Sequence, residues 1–254
     1  MKALFYGITL QFKMDIRSKS LLITCYLVPL LFFAIMGEIF TSITPESKNT
    51  LIQSMTIMGV SMGTLIGLPP SIIEIYGTKI KKMYYANNVP IYFGLVSLTI
   101  STLIHLIIMS IIITIVAPIV FDAKVPSNLL LYFGSLILFI ITSLSIACIL
   151  GLLVKNQAKL TMFSQLVFLP SIMLSGIMFP TDLLPEFLSN LGKLFPASWT
   201  YPLLIQNKFN LNDFFPLLII LIFMIIGCYL LLKKHSIDYF TRYAPPIHSL
   251  STTL

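Results

Sequence analysis

Charge is what this 254-residue sequence lacks most: Asp, Glu, Lys and Arg make up 10% of it, against 57% hydrophobic residues. A soluble domain carries about 25% charged residues, so a water-facing surface could not be covered, and a water-soluble fold is excluded. Cysteine is scarce too. Cys25, Cys148 and Cys228 all fall inside apolar runs without CxxC or Cys/His spacing, which argues against a disulfide framework or a thiolate metal site and leaves small packing residues. No GxxxxGK[ST] phosphate loop occurs, so the chain does not hold ATP in that way. None of the Asp, Glu, Lys or Arg residues sits at the centre of an apolar run, and Glu38 lies near the end of the first. Ion-coupled transporters usually accept the roughly 2.5–3.5 kcal/mol insertion cost of a mid-bilayer charge because the ion must bind there. The absence argues against ion coupling, although backbone carbonyls can also bind sodium.

What is present is length without charge. A helix needs roughly 20 mostly apolar residues to cross the hydrocarbon, and six runs qualify, at about 20–40, 51–73, 91–117, 129–154, 160–180 and 214–232. Charge or turn residues bound them: Pro45-Glu46-Ser47-Lys48, Asp122-Ala123-Lys124, Lys155-Asn156-Gln157 and Lys233-Lys234. The expected fold class is therefore an all-α integral membrane protein with six transmembrane helices. If the runs alternate in direction, residues 1–19, 74–90, 155–159 and the tail 233–254 share one side, with twelve Lys and Arg against four on the other. Basic residues collect on the cytoplasmic side, which predicts both termini inside and a multi-pass protein of the cell membrane. The same rule accounts for the basic excess, and nucleic acid is not an expected partner because no basic groove can form outside short loops.

Two segments break the pattern. In residues 1–19, Leu4, Phe5, Ile8, Phe12 and Ile16 follow helical spacing, with Lys2, Lys13 and Arg17 on another arc. That predicts an amphipathic helix lying in the membrane interface, with Asp15 and Lys19 spoiling its apolar face; a plain cytoplasmic extension is the alternative. The first long apolar run begins only at Leu21, after charged residues, so a secretory leader is not expected. The outer loop 181–213 is apolar for a connector and carries the single tryptophan, Trp199. Tryptophan favours the headgroup boundary, which predicts short interfacial or partly re-entrant helices there.

Gly59-Val60-Ser61-Met62-Gly63 fits the GxSxG pattern of serine hydrolases. That elbow needs a strand, a sharp turn and a helix, whereas this match falls within a predicted span. An intramembrane Ser61–His105 dyad is the catalytic alternative. The bland reading is packing: Gly59, Gly63 and Gly67 recur every four residues on one helix face, where small residues let helices approach. His105, the one histidine deep in a span, reads as a structural imidazole bonded to a neighbouring helix, with a functional role the lesser alternative.

In the loop 74–90, Glu74-Ile75-Tyr76-Gly77 is followed by Lys79, Lys81, Lys82, Tyr84 and Tyr85 and ends at Val89-Pro90. At the end of the fifth run, Ser175-Gly176-Ile177-Met178-Phe179-Pro180 leads to Leu183-Leu184-Pro185 and Phe195-Pro196. In this order and topology, these elements resemble the membrane subunits of type-2 ABC exporters over nearly the whole chain. Asn87-Asn88 before the proline is a departure, since many relatives are more apolar there. The resemblance implies a permease subunit, not itself an enzyme, that pairs with a second permease chain, alike or different. A separate cytosolic ATP-binding subunit would hold ATP and magnesium, so this chain itself needs no cofactor. Glu74, Gly77, Lys79, Lys81, Lys82, Tyr84 and Tyr85 would form the coupling element seated on that subunit, and Ser175, Gly176, Phe179, Pro180 and Pro185 an outer gate region. By the same resemblance, the expected activity is export across a bacterial plasma membrane of an amphipathic or lipophilic solute such as an antibiotic, antimicrobial peptide or drug. Export of a lipid-linked glycan is the rival, disfavoured by spans without dense aromatic and polar residues.

Overall fold

The computed structural model describes residues 2–77, 80–87, 89–206 and 210–243, with the side-chain surroundings of all but 2, 3, 20, 81, 82, 85 and 235–243 among them. These residues are overwhelmingly helical, and no strand occurs among them. Helix α1 (Lys2–Arg17) breaks at Ser18; a turn, Lys19–Leu22, then leads into α2 (Ile23–Ile43), which opens with a π-helical turn at Ile23–Leu27. Next come α3 (Leu51–Gly77), with a second π turn at Met62–Gly67, the short α4 (Ile80–Ala86) and α5 (Tyr92–Phe121). They are followed by α6 (Leu129–Leu153), α7 (Gln157–Met173), α8 (Glu186–Gly192), α9 (Pro196–Ile205) and α10 (Leu211–Tyr243).

Local chemistry sets several of these limits. Asn128 and Asn156 cap α6 and α7, their side-chain oxygens accepting from the backbone N–H groups of Leu131 and Lys159, which satisfies donors that a helix start leaves open. Asp122 closes α5 in a left-handed conformation, φ 51°. The fifth apolar run, expected over 160–180, is helical only as far as Met173. Beyond it the chain turns through Gly176, whose φ of +86° suits a residue without a Cβ.

Among the described residues five helices, α2, α3, α5, α6 and the Leu211–Lys234 part of α10, are long and apolar enough to cross a membrane. The helix in the fifth run, α7, has 17 residues, shorter than the roughly 20 a span usually needs. The sixth run, expected to stop at Lys233-Lys234, forms a helix that continues through these lysines to Tyr243.

At the centre stands α3. Some 89% of its most apolar stretch is buried, against 11% for that of α10, and it contacts α2, α5, α6, α7 and α9. Burial on this scale follows from its composition: no Asp, Glu, Lys or Arg occurs from Leu51 to Ile73. Its glycine stripe faces α2 and α5. A Cβ on Gly59 would stand 2.8 Å from Met109 Cε and 3.3 Å from Pro29 Cβ, one on Gly63 would run into Leu106, and one on Gly67 would reach Thr24 at 3.0 Å. The connections sort to two ends. At one, the Lys124 N–H donates to the Lys48 carbonyl (2.9 Å), Lys48 pairs with Asp122 (3.6 Å), and Ser54 bonds Tyr201 of α9 (3.2 Å). At the other, Ile72 of α3 packs on Gly151 of α6, and Phe93 of α5 on Gly7 of α1.

The N-terminal helix corrects the expected apolar arc. Its packed face is Leu4, Gly7, Ile8, Gln11, Phe12 and Asp15, whereas Phe5 and Ile16 are exposed. Asp15, expected to disturb the apolar face, is 3% exposed. Helix α1 runs alongside α5: Gly7 meets Phe93 and Asp15 meets Ser101, the same offset on both helices.

Candidate functional site

Two clusters of chemistry-bearing residues meet on α5. The first surrounds α4. Glu74 and Gly77 are exposed in the last turns of α3, immediately before it. The chain then folds back on itself: the Tyr76 hydroxyl donates to the Ile91 carbonyl (2.7 Å), and the Val89 N–H donates to the Tyr84 carbonyl (2.8 Å). Asn87 holds the end of α4 by donating its side-chain amide to the Met83 carbonyl at 2.9 Å. The Tyr84 ring lies over Gly94, where a Cβ would come within 2.9 Å of it, and stands edge-on to Phe93 at 6.4 Å. Burial pushes the Tyr84 phenol above its ordinary pKa. The other face of this joint is α1, since Gly7 receives the Phe93 ring so closely that a Cβ would collide with it. Phe93 thus touches both the N-terminal helix and α4. Lys79 lies outside the described residues; Lys81, Lys82 and Tyr85 belong to α4, but their side chains lie outside the description.

The second cluster lies deeper along α5. Asp15 of α1 accepts at Oδ1 from Gln11 Nε2 (2.8 Å) and at Oδ2 from Ser101 Oγ (2.5 Å). One turn on, His105 stacks against Phe12, with ring centroids 4.5 Å apart and planes 8° from parallel. Its Nδ1 shares a hydrogen bond of 2.8 Å with the Tyr26 hydroxyl of α2. Tyr26 sits in the π turn of α2, which packs against the π turn of α3; such turns insert one residue and re-aim the side chains around it. His105 is 1% exposed, and its Nε2 has no hydrogen-bond partner among the described residues. Alongside, α2 borders an open groove of about 640 Å³, lined by Lys19 at one end and by Leu22, Ile23, Tyr26, Leu27 and Leu30.

The GxSxG match lies in α3 where the α-helix passes into its π turn, away from any strand. Ser61 and His105 share no hydrogen bond, and Nδ1 of the imidazole is taken by Tyr26. The dyad that hydrolysis would need is not assembled in this geometry.

At the opposite end, Ser175 is buried and donates to the Ile172 carbonyl at 2.9 Å, and Gly176 turns the chain beside Thr181 and Tyr201. Phe179, Pro180 and Pro185 are exposed. The C-terminus of α8 presses on the end of α7, where a Cβ on Gly192 would stand 2.6 Å from the Leu174 carbonyl oxygen. Trp199 donates its indole N–H to the Lys193 carbonyl at 2.7 Å. Helix α9 packs among α3, α6, α7 and α10, with Pro196, Ala197, Thr200, Leu203 and Leu204 buried.

Sequence reasoning did not find Asp15–Ser101, Phe12–His105 or the Phe93 joint. One signal was available: Gln11 and Asp15 are four residues apart on the arc of Leu4, Ile8 and Phe12, so an apolar face carries a hydrogen-bonded polar pair.

A family profile described as ABC-2 type transporter matches residues 3–209, which takes in α1, the α4 joint, the deep polar cluster and the turns around Gly176. No match was found among curated proteins or among solved structures. With several long apolar helices and a match over most of its length, the chain belongs to the ABC-2 type transporter family and is a multi-pass permease subunit of an ABC transporter.

Proposed function

We propose that this permease exports an amphipathic or lipophilic solute and is driven by a separate ATP-binding subunit seated on α4. In this reading α7 spans the membrane despite its length, the α4 end of the molecule faces the cytoplasm, and two permease chains enclose the path. The carrying observation is the joint at Phe93, which touches Gly7 of α1 and Tyr84 of α4. A push on α4 therefore meets the N-terminal helix and the first turn of α5 together. The sequence has no GxxxxGK[ST] phosphate loop, which agrees with a nucleotide held by a separate subunit. The groove along α2, apolar with a cation at one end, suits a solute that is largely apolar with an anionic or polar group.

The test is purification of the tagged full-length chain from its native membrane, followed by reconstitution in proteoliposomes. An ATP-binding protein is expected to co-purify, and ATP hydrolysis in its presence should rise with a candidate amphipathic solute. Glu74→Gln and Phe93→Ala should each retain that partner while losing most of the solute-stimulated hydrolysis. Absence of an ATP-binding partner would overturn the assignment of the drive. Unchanged stimulation in both variants would overturn the role of α4 and its joint.

A further inference from the structure

The groove along α2 has a volume of about 640 Å³, within the range of roughly 300–1,000 Å³ that ligand sites occupy. We propose that it binds a phospholipid with an anionic headgroup, the headgroup at Lys19 and one acyl chain running past Tyr26 toward Leu31. This deepens the reading of the groove as the place of an amphipathic solute and rests on it, but needs neither ATP nor a partner subunit.

The lining sorts by polarity along its length. Lys19 stands at one end, and leucine, isoleucine and Tyr26 supply the rest as far as Leu31. Tyr26 adds no free polar group, because its hydroxyl is taken by His105 Nδ1 at 2.8 Å. The hydroxyls or amides of a polar solute would lose water there without gaining a partner, which is costly; a hydrocarbon chain has none to lose. Length narrows the class further. Lys19 and Leu31 are 12 residues apart, about 18 Å at 1.5 Å per residue, and half of the hydrocarbon core is about 15 Å. The groove therefore covers one leaflet from headgroup to midplane, as a lipid does and a path across the whole membrane does not.

Charge selects the headgroup. Lys13, Arg17 and Lys19 are exposed toward the corner between α1 and α2, and none pairs with a carboxylate among the described residues. Asp15, the one acidic residue before Glu38, is buried and already accepts from Gln11 and Ser101. Each Lys or Arg close to a membrane surface raises affinity for anionic lipid about fivefold. A second copy of this chain is the rival occupant. Two copies inserted the same way and meeting on this face about a twofold axis would present the same patch to each other. That brings Lys19 toward Lys19 with no exposed carboxylate between them, and like charges repel.

The experiment reads lipid contact by tryptophan fluorescence, with the full-length chain alone in bilayers of dioleoylphosphatidylcholine and dioleoylphosphatidylglycerol. Trp199 is the single native tryptophan; Trp199→Phe removes it, and Ile23→Trp places a reporter in the groove. Brominating the chains of one lipid at a time then gives the relative binding constant of the two lipids at that point. Ile222→Trp, on the exposed face of α10, is the reference position. Phosphatidylglycerol should be favoured about fivefold or more at the groove and scarcely at all at the reference, and Lys19→Gln should lower the groove preference about threefold or more. No preference at the groove, the same preference at the reference, or a preference that survives Lys19→Gln overturns the proposal. So does a groove reporter that neither brominated lipid quenches, the result a second copy seated there would give. Should Ile23→Trp fail to fold, Leu31→Trp at the other end of the groove decides. No ATP-binding protein is present in these bilayers, so failure here is distinct from failure of the export reading, which co-purification and stimulated hydrolysis judge.

Discussion

Alanine at Gly63 and at Gly134 separates close packing from every other effect of the same substitution. A Cβ at Gly63 would run into Leu106 Cδ2 with Cys25 Sγ 3.5 Å away, whereas one at Gly134 would meet nothing within 4 Å. Both glycines lie in helical backbone, Gly134 in α-helix and Gly63 in the π turn of α3, so each exchange gains up to about 1 kcal/mol of helix propensity, most of which cancels in the comparison. What remains is the cost of overpacking at Gly63, typically 1–3 kcal/mol. Gly63→Ala should therefore be about 2 kcal/mol less stable than Gly134→Ala, a factor of about 30 in the unfolding equilibrium. Reversible unfolding in mixed micelles measures it. Leu106→Ala in the Gly63→Ala background should restore part of the loss, with a coupling of roughly 0.5–3 kcal/mol because the two groups touch. Equal stability of the two glycine variants, or strict additivity with Leu106→Ala, would refute the close approach of α3 to α5.

Two further outcomes follow from the opposite end. Gly176→Ala should cost about 1–2 kcal/mol, because a φ of +86° places an L side chain in the left-handed region and Thr181 Cγ2 stands 3.1 Å from the added carbon; the same unfolding assay reads it. Lys48→Gln should change stability by less than about 1 kcal/mol, since the partner Asp122 is 88% exposed and pairs in water are weak; a larger loss, or one that persists in high salt, would contradict this.

Much of the fold was legible because the bilayer demands length and apolarity, and both are read directly from sequence. The runs around Leu21, Leu51, Tyr92, Leu129 and Phe214 needed no partner to be recognised. Helix ends were harder. Met173 ends α7 because Gly176 turns the chain, and a glycine in an apolar run carries no mark of its φ. The α4 joint was legible in outline from Glu74 to Pro90, but its anchoring by Phe93 was not, since one phenylalanine among 19 has no distinguishing pattern. Asp15 was misread for a physical reason. Periodicity places its carboxylate on the apolar arc as a disturbance, while here Gln11 and Ser101 satisfy it and make it part of the packed face.

The central position of α3 has a mechanical consequence. One end carries α4, and the other is tied to Tyr132 of α6 through Thr56 (2.9 Å) and to Tyr201 of α9 through Ser54 (3.2 Å). Its 27 residues make a rod about 40 Å long, so it behaves as an axle joining the two ends through a sleeve of neighbours. The π turn at Met62–Gly67 is a coupling sleeve in that axle. Winding its extra residue back into α-helix would turn one half about 100° against the other, so torsion at the α4 end need not reach Tyr201 unchanged.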